Sequence, residues 1–252
     1  MVHFVGAGPG AVDLITVRGM NLLKNADVII YAGSLVNPEL LTYAKENAVV
    51  YNSAVMTLEE VVSVMVTASH EGKDIVRLHT GEPSIYGAVR EQMDLLDEEG
   101  IPYDSTPGVS ACFGAASALN LEYTLPGISQ TLIITRAEGR TAVPKEESIR
   151  SLAMHGASMA IYLSAGMLDR LSEDLIAGGY APQTPVAIVY KATWKEEKCI
   201  RCTVLTMADE GKKEGITKTA VVLVGDAVAQ SGYERSKLYD PTFSTEYRKS
   251  SV

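Results

Sequence analysis

The alternation of two periodicities along the chain constrains its fold more than any other sequence feature. Short runs rich in β-branched residues, such as residues 27–32 and 75–80, alternate with longer segments whose apolar residues recur at helical spacing. In residues 58–70, Val61 and Met65 lie four apart and predict an amphipathic helix with one buried face. Strands that alternate with helices need crossover connections, which favour a parallel sheet.

The same alternation continues through most of the chain and is interrupted once. The predicted strands are residues 2–5, 27–32, 49–51, 75–80, 102–105, 131–135, 159–163, 185–190, 198–204 and 219–224. The predicted helices are residues 17–25, 38–46, 58–70, 88–99, 146–155, 168–177 and 206–214.

A connector at residues 121–129, with Pro126 and Gly127, divides this pattern in two. The sequence therefore predicts an α/β protein with mainly parallel sheets and two α/β domains, residues 1–122 and 123–252. Residues 198–204 follow residues 185–190 so closely that we expect an antiparallel hairpin in the second sheet.

Charge and cysteine usage exclude several classes of protein. A formal net charge of −9 disfavours general binding to nucleic acid or to an anionic membrane, because both partners require a basic surface. The three cysteines, Cys112, Cys199 and Cys202, are few and odd in number, which favours a reducing compartment. Cys199 and Cys202 lie three apart in a predicted strand, where their side chains point to opposite faces, so no metal site is predicted.

The beginning of the chain and its longest apolar runs predict a cytoplasmic protein. No basic segment followed by an apolar stretch opens the sequence, so no signal peptide is predicted. The longest apolar runs are far shorter than the ~20 residues that span a bilayer.

A glycine-rich turn at residues 6–11, Gly-Ala-Gly-Pro-Gly-Ala, follows the first predicted strand and matches the dinucleotide-binding pattern. That pattern also requires an acidic residue at the end of the second strand, where this chain has Tyr31 and Ala32. Pro9 removes one backbone donor from the turn. The ordinary class of methyltransferases expects the same acidic residue. The turn alone leaves open a dinucleotide, a structural role, or another ligand.

Two further turns follow the fourth and fifth predicted strands. Residues 80–87 read Thr-Gly-Glu-Pro-Ser-Ile-Tyr-Gly, and residues 107–111 read Pro-Gly-Val-Ser-Ala. In a parallel sheet both turns lie at the carboxyl ends of the strands, where open α/β folds bind ligands. Their glycines permit close approach of the backbone, and their prolines stiffen the loops.

These three segments together resemble the tetrapyrrole methylase superfamily, and the resemblance covers essentially the whole chain. Residues 90–93, 125–126, 135–141 and 236–241 resemble in particular the members that methylate C-11 of precorrin-4 or cobalt-precorrin-4 in cobalamin biosynthesis. The resemblance implies two α/β domains with a cofactor cleft between them, S-adenosylmethionine as methyl donor, S-adenosylhomocysteine as product, and a homodimer. One departure is Glu82, where the family usually has Asp.

The resemblance also implies a set of cofactor contacts. They come from the first turn, the two later loops, and three segments of the second domain. They are Pro9, Thr80, Gly81, Glu82, Ile85, Ser110, Ala111, Leu163, Ala192, Thr219 and Ala220.

Methyl transfer from a sulfonium to carbon requires alignment and exclusion of water, and it needs no metal. Tyr86 is the one candidate for an acid, base or hydrogen-bonding group, and packing is an equal alternative. The carboxylates of a tetrapyrrole favour basic partners, for which Arg136, Arg140 and Lys191 are candidates.

Other functions stay open at this stage. They are uroporphyrinogen-III methyltransferase or diphthine synthase within the superfamily, an NAD-binding oxidoreductase, and a non-catalytic binding module.

Overall fold

A computed structural model describes residues 1–251 of the chain and divides it into two compact units. The first unit contains residues 1–115 together with residues 191–197, and the second contains residues 116–190 and the described chain from residue 198 onward. The expected boundary after residue 122 thus differs from the observed division. The chain changes unit inside a helix, and a short later segment belongs to the first unit.

The sheet of the first unit is parallel throughout, as the alternation of strands and helices predicts. Its five strands lie in the order β3-β2-β4-β1-β5. The strands are β1 (Val2–Gly6), β2 (Val28–Tyr31), β3 (Val49–Asn52), β4 (Ile75–His79) and β5 (Tyr103–Thr106). The carboxyl ends of β1, β4 and β5 are adjacent, so the turns that follow them meet at one edge of the sheet.

Helices cover both faces of this sheet. They are α1 (Val17–Asn25), α2 (Leu58–His70), α3 (Arg90–Glu98) and α4 (Ala111–Leu119). Thr57 and Glu60 form a reciprocal capping box that begins α2. The helix predicted at residues 38–46 is instead a short 3-10 helix, Pro38–Tyr43, and α4 was not predicted.

Each face of the first sheet has its own apolar core. Phe4 and Ile75 pack with Met65 of α2 on one face, whereas Val5 and Leu78 pack with residues of α1 on the other. Because successive residues of a strand point to opposite faces, β1 and β4 supply both cores and are buried on both sides.

The sheet of the second unit is mixed, which corrects the expectation of mainly parallel sheets. Its strands are β6 (Leu132–Arg136), β7 (Ser158–Tyr162), β8 (Pro185–Tyr190), β9 (Lys198–Thr203) and β10 (Ala220–Val224), in the order β6-β7-β10-β8-β9.

In this second sheet only β6 and β7 are parallel neighbours, whereas β10 is antiparallel to β7 and β8, and β8 to β9. The β8–β9 hairpin confirms the expected antiparallel pair. Residues 191–197 are too few for the crossover that a parallel pair would need.

The second core lies between this sheet and three helices, α5 (Ile149–Ala153), α6 (Leu168–Ala177) and α7 (Met207–Lys213). Leu171 and Leu175 of α6 are fully buried against Met159 and Ile188 of the sheet. Within residues 1–251, no helix combines the length and the apolar character needed to cross a membrane.

Candidate functional site

Three glycines from three turns meet at the carboxyl edge of the first sheet. A Cβ added to Gly6 would lie 2.5 Å from the amide nitrogen of Gly108. A Cβ on Gly108 would lie 2.8 Å from the Cα of Gly6 and nearer still to the carbonyl oxygen of Gly81. Gly81 also donates its N–H to the carbonyl oxygen of Gly8, at 2.9 Å. The turns predicted to converge therefore do so, in direct backbone contact.

Glu82 joins two of these loops through its carboxylate. One oxygen accepts a hydrogen bond from the N–H of Gly108 at 2.9 Å, and the other accepts from the N–H of Ser84 at 3.0 Å. Burial alone would raise the pKa of Glu82, but the hydrogen bonds from Ser84 and Gly108 outweigh it and leave that pKa below its usual value. Glu82, predicted as a cofactor contact, thus orders the backbone of both loops.

The loop after β4 is held in a strained conformation. Tyr86 and Ala88 have φ values of +56° and +49°, which non-glycine residues seldom adopt. Gly87 lies between them, and a Cβ there would come within 2.9 Å of the carbonyl carbon of Pro83. Tyr86 is 46% exposed, so this residue lies at the protein surface.

A buried polar relay supports the end of this loop. The Nε–H of Arg77 donates to the side-chain oxygen of Gln92 at 2.9 Å, and the amide of Gln92 donates to the carbonyl oxygen of Ala88 at 2.8 Å. Arg77 also donates to the carbonyl oxygen of Ile30 at 3.2 Å. These contacts connect the middle of β4 to the strained turn through α3.

His79 lies next to this relay as a neutral, buried ring. Burial and the nearby charge of Arg77 lower the pKa of His79 to about 3, and burial lowers the pKa of Arg77 to about 10. The ring stacks on Phe4 with centroids 5.9 Å apart, and its Nε2 has no hydrogen-bond partner among the described residues.

The chain itself occupies the polar groups of the first glycine turn. The N–H of Ala11 donates to the hydroxyl of Thr193 at 2.9 Å, and the indole N–H of Trp194 donates to the carbonyl oxygen of Pro9 at 3.0 Å. Asn37 donates to the carbonyl oxygen of Gly10 at 2.9 Å. Because the N–H of Ala11 is already bonded to Thr193, it is not available to a pyrophosphate, which supports the sequence argument against a dinucleotide.

The predicted cofactor contacts of the first unit lie around these turns. A Cβ on Gly81 would sit 3.6 Å from the nitrogen of Ala111 and 3.7 Å from the Cα of Ser110, so the second and third loops are adjacent. Gly81 and Ser110 are buried and Ala111 is partly exposed. The remaining predicted contacts of this unit are Pro9 and Ala192, which are buried, and Thr80, Glu82 and Ile85, which are partly exposed.

The other predicted cofactor contacts lie together at one edge of the second sheet. Because β10 is antiparallel to β7, the beginning of β10 lies beside the end of β7, which places Thr219 and Ala220 near Leu163. Leu163 and Thr219 have φ values of +54° and +56°, and Leu163 is 64% exposed. An exposed apolar side chain on strained backbone is a feature that a packing role does not explain.

The three basic candidates have different surroundings. The guanidinium of Arg136 donates to the carbonyl oxygens of Ala137, Thr141 and Ala142, so it shapes the loop that follows β6. Arg140 is exposed on this same loop. In the first unit, Lys191 has its Nζ 5.2 Å from the centre of the Trp194 ring and 3.4 Å from a carboxylate oxygen of Glu196.

Sequence reasoning missed several residues that organise these loops. Arg77 belongs to no motif, Gln92 lies in residues 90–93 but was given no role, and Thr193 is one of many polar residues in the chain. The one available signal was Trp194, the single tryptophan of the sequence. Among residues 1–251, no cluster of three or more His, Cys, Asp or Glu side chains is placed to hold a metal ion.

The chain thus joins, in sequence, a parallel α/β unit with three converging glycine loops to a mixed α/β unit. Comparison with known proteins identifies the class of protein. The sequence model of the tetrapyrrole (corrin/porphyrin) methylases matches residues 1–208. The chain belongs to this family.

Similar proteins extend over nearly the whole chain. A cobalt-precorrin-4 C(11)-methyltransferase from Methanocaldococcus jannaschii is 54% identical over 99% of this chain and 96% of its own length. A precorrin-4 C(11)-methyltransferase from Rhodococcus erythropolis is 44% identical over 96% of this chain and 97% of its own.

Among solved structures, a cobalt precorrin-4 methyltransferase superposes with a TM-score of 0.88 at 46% identity, over 90% of this chain and 95% of that one. The fold is therefore that of the tetrapyrrole methylases, with two α/β units that each contain one sheet.

Proposed function

We propose that this protein transfers a methyl group from S-adenosylmethionine to C-11 of cobalt-precorrin-4 or precorrin-4 in cobalamin biosynthesis. The observation that carries the proposal is the similarity over nearly the full length to relatives named for this reaction, at 54% and 44% identity. Relatives with both names are similar to the chain, so the proposal includes the cobalt-containing and the metal-free substrate.

The residues present fit S-adenosylmethionine better than a dinucleotide. All the predicted contacts except Glu82 are uncharged, and the Glu82 carboxylate is engaged with the N–H groups of Gly108 and Ser84. Apolar groups such as Ile85 and Leu163 suit an adenosine and a thioether chain, whereas a pyrophosphate would need exposed N–H groups or cations. When bound, S-adenosylmethionine supplies an electrophilic methyl group on its sulfonium.

The protein's own contribution is to bind, orient and exclude water. The loops after β1, β4 and β5 are fixed by backbone contacts, which suits them to hold a ligand in one orientation. Tyr86, on the strained loop, is the candidate for a hydrogen bond to substrate or donor. Arg140 is the candidate for a substrate carboxylate, because a guanidinium pairs well with carboxylates.

The alternatives have less support. An NAD-dependent oxidoreductase would need an acidic residue at the end of β2 and free N–H donors in the first turn. The chain has Tyr31 at the end of β2, and the N–H groups of Ala7, Gly8 and Ala11 donate to other groups of the protein. A uroporphyrinogen-III C-methyltransferase from Bacillus subtilis is 30% identical, well below the relatives named for C-11.

The proposal also includes a cytoplasmic homodimer. The homodimer is what the family resemblance implies, and sedimentation equilibrium measures the association state of the protein. A reducing compartment is supported by the cysteines, since Cys112, Cys199 and Cys202 form no disulfide with one another.

Calorimetry and label transfer test the proposed class of function. We expect the purified protein to bind S-adenosylhomocysteine and to show no useful affinity for NAD. Labelled S-adenosylmethionine should transfer its methyl group to cobalt-precorrin-4 or precorrin-4, with uroporphyrinogen III as the control acceptor. Tight binding of NAD without binding of S-adenosylhomocysteine would contradict the assignment, and transfer to uroporphyrinogen III alone would move the protein to another branch of the family.

A further inference from the structure

The segment of residues 191–197, which we name the strap, has an unusual backbone. It connects β8 to β9 in sequence, yet its contacts belong to the first unit. Lys191 and Thr193 have φ values of +45° and +69°. A β-branched residue such as threonine is rarely found at positive φ, and it persists there only where the surrounding structure holds it. The predicted cofactor contact Ala192 lies between these two strained residues.

Hydrogen bonds within the strap and to the first glycine turn hold this strained backbone. The Thr193 hydroxyl accepts from the N–H of Ala11 at 2.9 Å, and the Thr193 N–H donates to the carboxylate of Glu197 at 2.5 Å. The indole N–H of Trp194 donates to the carbonyl oxygen of Pro9 at 3.0 Å.

The Trp194 ring also fills the space beside Gly10. A Cβ on Gly10 would lie 2.8 Å from Cγ of the ring and nearer still to Cδ1, so the turn accepts only glycine here. On its other flank the turn contacts α4. A Cβ on Gly114 would lie 2.8 Å from Cβ of Pro9 and 3.3 Å from Cγ2 of Thr193. Thr193 and Trp194 therefore hold the first turn between the strap and the helix that follows the third loop.

We propose that Thr193 and Trp194 are positioning residues for the methyl donor. They act through the backbone of Pro9 and Ala192, which they hold in one arrangement, and they offer their own polar atoms to the protein rather than to a ligand. This inference rests on the proposed function, because it assigns the strap to the binding of the donor.

Two conservative variants remove one hydrogen bond each. Thr193→Val keeps the shape and the β-branch but leaves the N–H of Ala11 without its acceptor, and Trp194→Phe keeps an aromatic ring without the N–H that reaches Pro9. We expect each variant to raise the Kd for S-adenosylhomocysteine about tenfold, the effect of one lost hydrogen bond, and to leave the Kd for the tetrapyrrole unchanged. Thr193→Ser keeps the hydroxyl and should restore the affinity.

Thr206→Val is the matched control. The Thr206 hydroxyl also accepts a backbone N–H, that of Thr203 at 3.0 Å, but in the second unit. The Thr206→Val variant should change the thermal midpoint of unfolding as Thr193→Val does, without affecting the affinity for S-adenosylhomocysteine.

Fluorescence of the single tryptophan shows whether the strap is docked. We expect acrylamide to quench Trp194 more strongly in Thr193→Val than in the unaltered chain, because the strap is less firmly held. If Thr193→Val and Trp194→Phe both bind S-adenosylhomocysteine with unchanged affinity, the inference about the strap is overturned, whether or not quenching increases in Thr193→Val. The proposed function would not be affected by that result. Absence of S-adenosylhomocysteine binding by the unaltered chain would overturn the proposed function, and this inference with it.

Discussion

The two units carry their predicted ligand contacts in different ways. In the first unit, three loops touch backbone to backbone, with no space for a Cβ at Gly6 or Gly108 and with Gly81 at a φ of +57°. In the second unit, Leu163 and Thr219 adopt positive φ without glycine, and Leu163 projects an exposed apolar side chain. The loops of the first unit therefore depend on residues without a side chain, whereas the predicted contacts of the second unit depend on particular side chains such as that of Leu163. Substitutions should therefore affect structure and binding together in the first unit, and binding alone in the second.

The largest effect is expected from Gly108→Ala. The added Cβ would overlap backbone atoms of Gly6 and Gly81, which cannot rotate away as a flexible side chain can. We expect a loss of about 1–3 kcal/mol in the free energy of unfolding, typical of overpacking, and a fall of about 100-fold in kcat/KM from the displaced loops. Chemical denaturation and steady-state kinetics measure the two effects.

The control for this variant is Gly72→Ala, which places a Cβ in open space at a φ of +72°. It should cost about 1 kcal/mol through backbone strain and leave activity unchanged. Equal activity losses in both variants would show that the backbone contact between the loops does not matter.

Arg140→Ala tests the second unit. Loss of one charge-assisted hydrogen bond to a substrate carboxylate should cost about 1.5–3 kcal/mol, or roughly ten- to 150-fold in tetrapyrrole affinity. Affinity for S-adenosylhomocysteine and the thermal midpoint of unfolding should stay the same, because Arg140 is exposed. Arg150→Ala removes an equal charge from an exposed position of α5 and is the control. Unchanged affinity for the tetrapyrrole would show that Arg140 is only a solvated surface residue and does not bind the substrate.

Glu82→Gln should have an intermediate effect in the first unit. The amide keeps one acceptor oxygen but loses the charge, so one of the two hydrogen bonds from Gly108 and Ser84 is weakened or lost. We expect a loss of about 1 kcal/mol in stability, and about a fivefold weaker affinity for S-adenosylhomocysteine. Calorimetry at neutral pH measures the affinity. If Glu82→Gln has the stability and the affinity of the unaltered protein, Glu82 does not organise the loops.

The pH dependence of this variant gives an independent check. The pKa of Glu82 is lower in the folded protein than its usual value, so its stabilising contribution is complete above the pKa of about 4.3 found in unfolded chains. It is lost as the pH falls below that value and through the lower pKa of the folded state. The stability difference between the unaltered protein and Glu82→Gln should therefore narrow below about pH 4.3.

A small effect on the fold is expected from Leu163→Gly. Glycine relieves the strain of a φ of +54° but increases the entropy of the unfolded chain, so stability should change by less than about 1 kcal/mol. Loss of the exposed leucine should weaken the affinity for S-adenosylhomocysteine about fivefold, equivalent to about 1 kcal/mol of apolar contact. Asn120→Gly, at a φ of +51°, should leave that affinity unchanged. If both variants bind alike, Leu163 is not a ligand contact.

Much of the fold was predictable, because strong local patterns decide it. Helices α1, α2 and α6 begin and end where their apolar spacing predicts. Helix α4 was missed since Ala111–Leu119 is almost entirely small or apolar, so no polar face reveals its period. The mixed direction of the second sheet was only partly predictable, because a strand's pattern does not state which neighbour it pairs with.

The candidate site was also predictable where local residue types determine it, and not where packing between distant residues does. Glycine and proline marked the three loops of the first unit, since these residues determine local backbone geometry. The bond between Ala11 and Thr193 joins residues 182 apart, and the relay from Arg77 through Gln92 to Ala88 also depends on packing. No local pattern specifies such contacts. Positive φ at Leu163 and Thr219 is likewise imposed by the fold rather than by residue type.

The most direct test of the central claim is to locate the transferred carbon. Protein, S-adenosylmethionine labelled with ¹³C in its methyl group, and cobalt-precorrin-4 or precorrin-4 are incubated together, and the isolated tetrapyrrole is analysed by carbon NMR. We expect a single enriched methyl signal, assigned to a methyl group on C-11 of the macrocycle, and one equivalent of S-adenosylhomocysteine. An unlabelled tetrapyrrole, or a methyl group at a different ring position, would contradict methyl transfer to C-11.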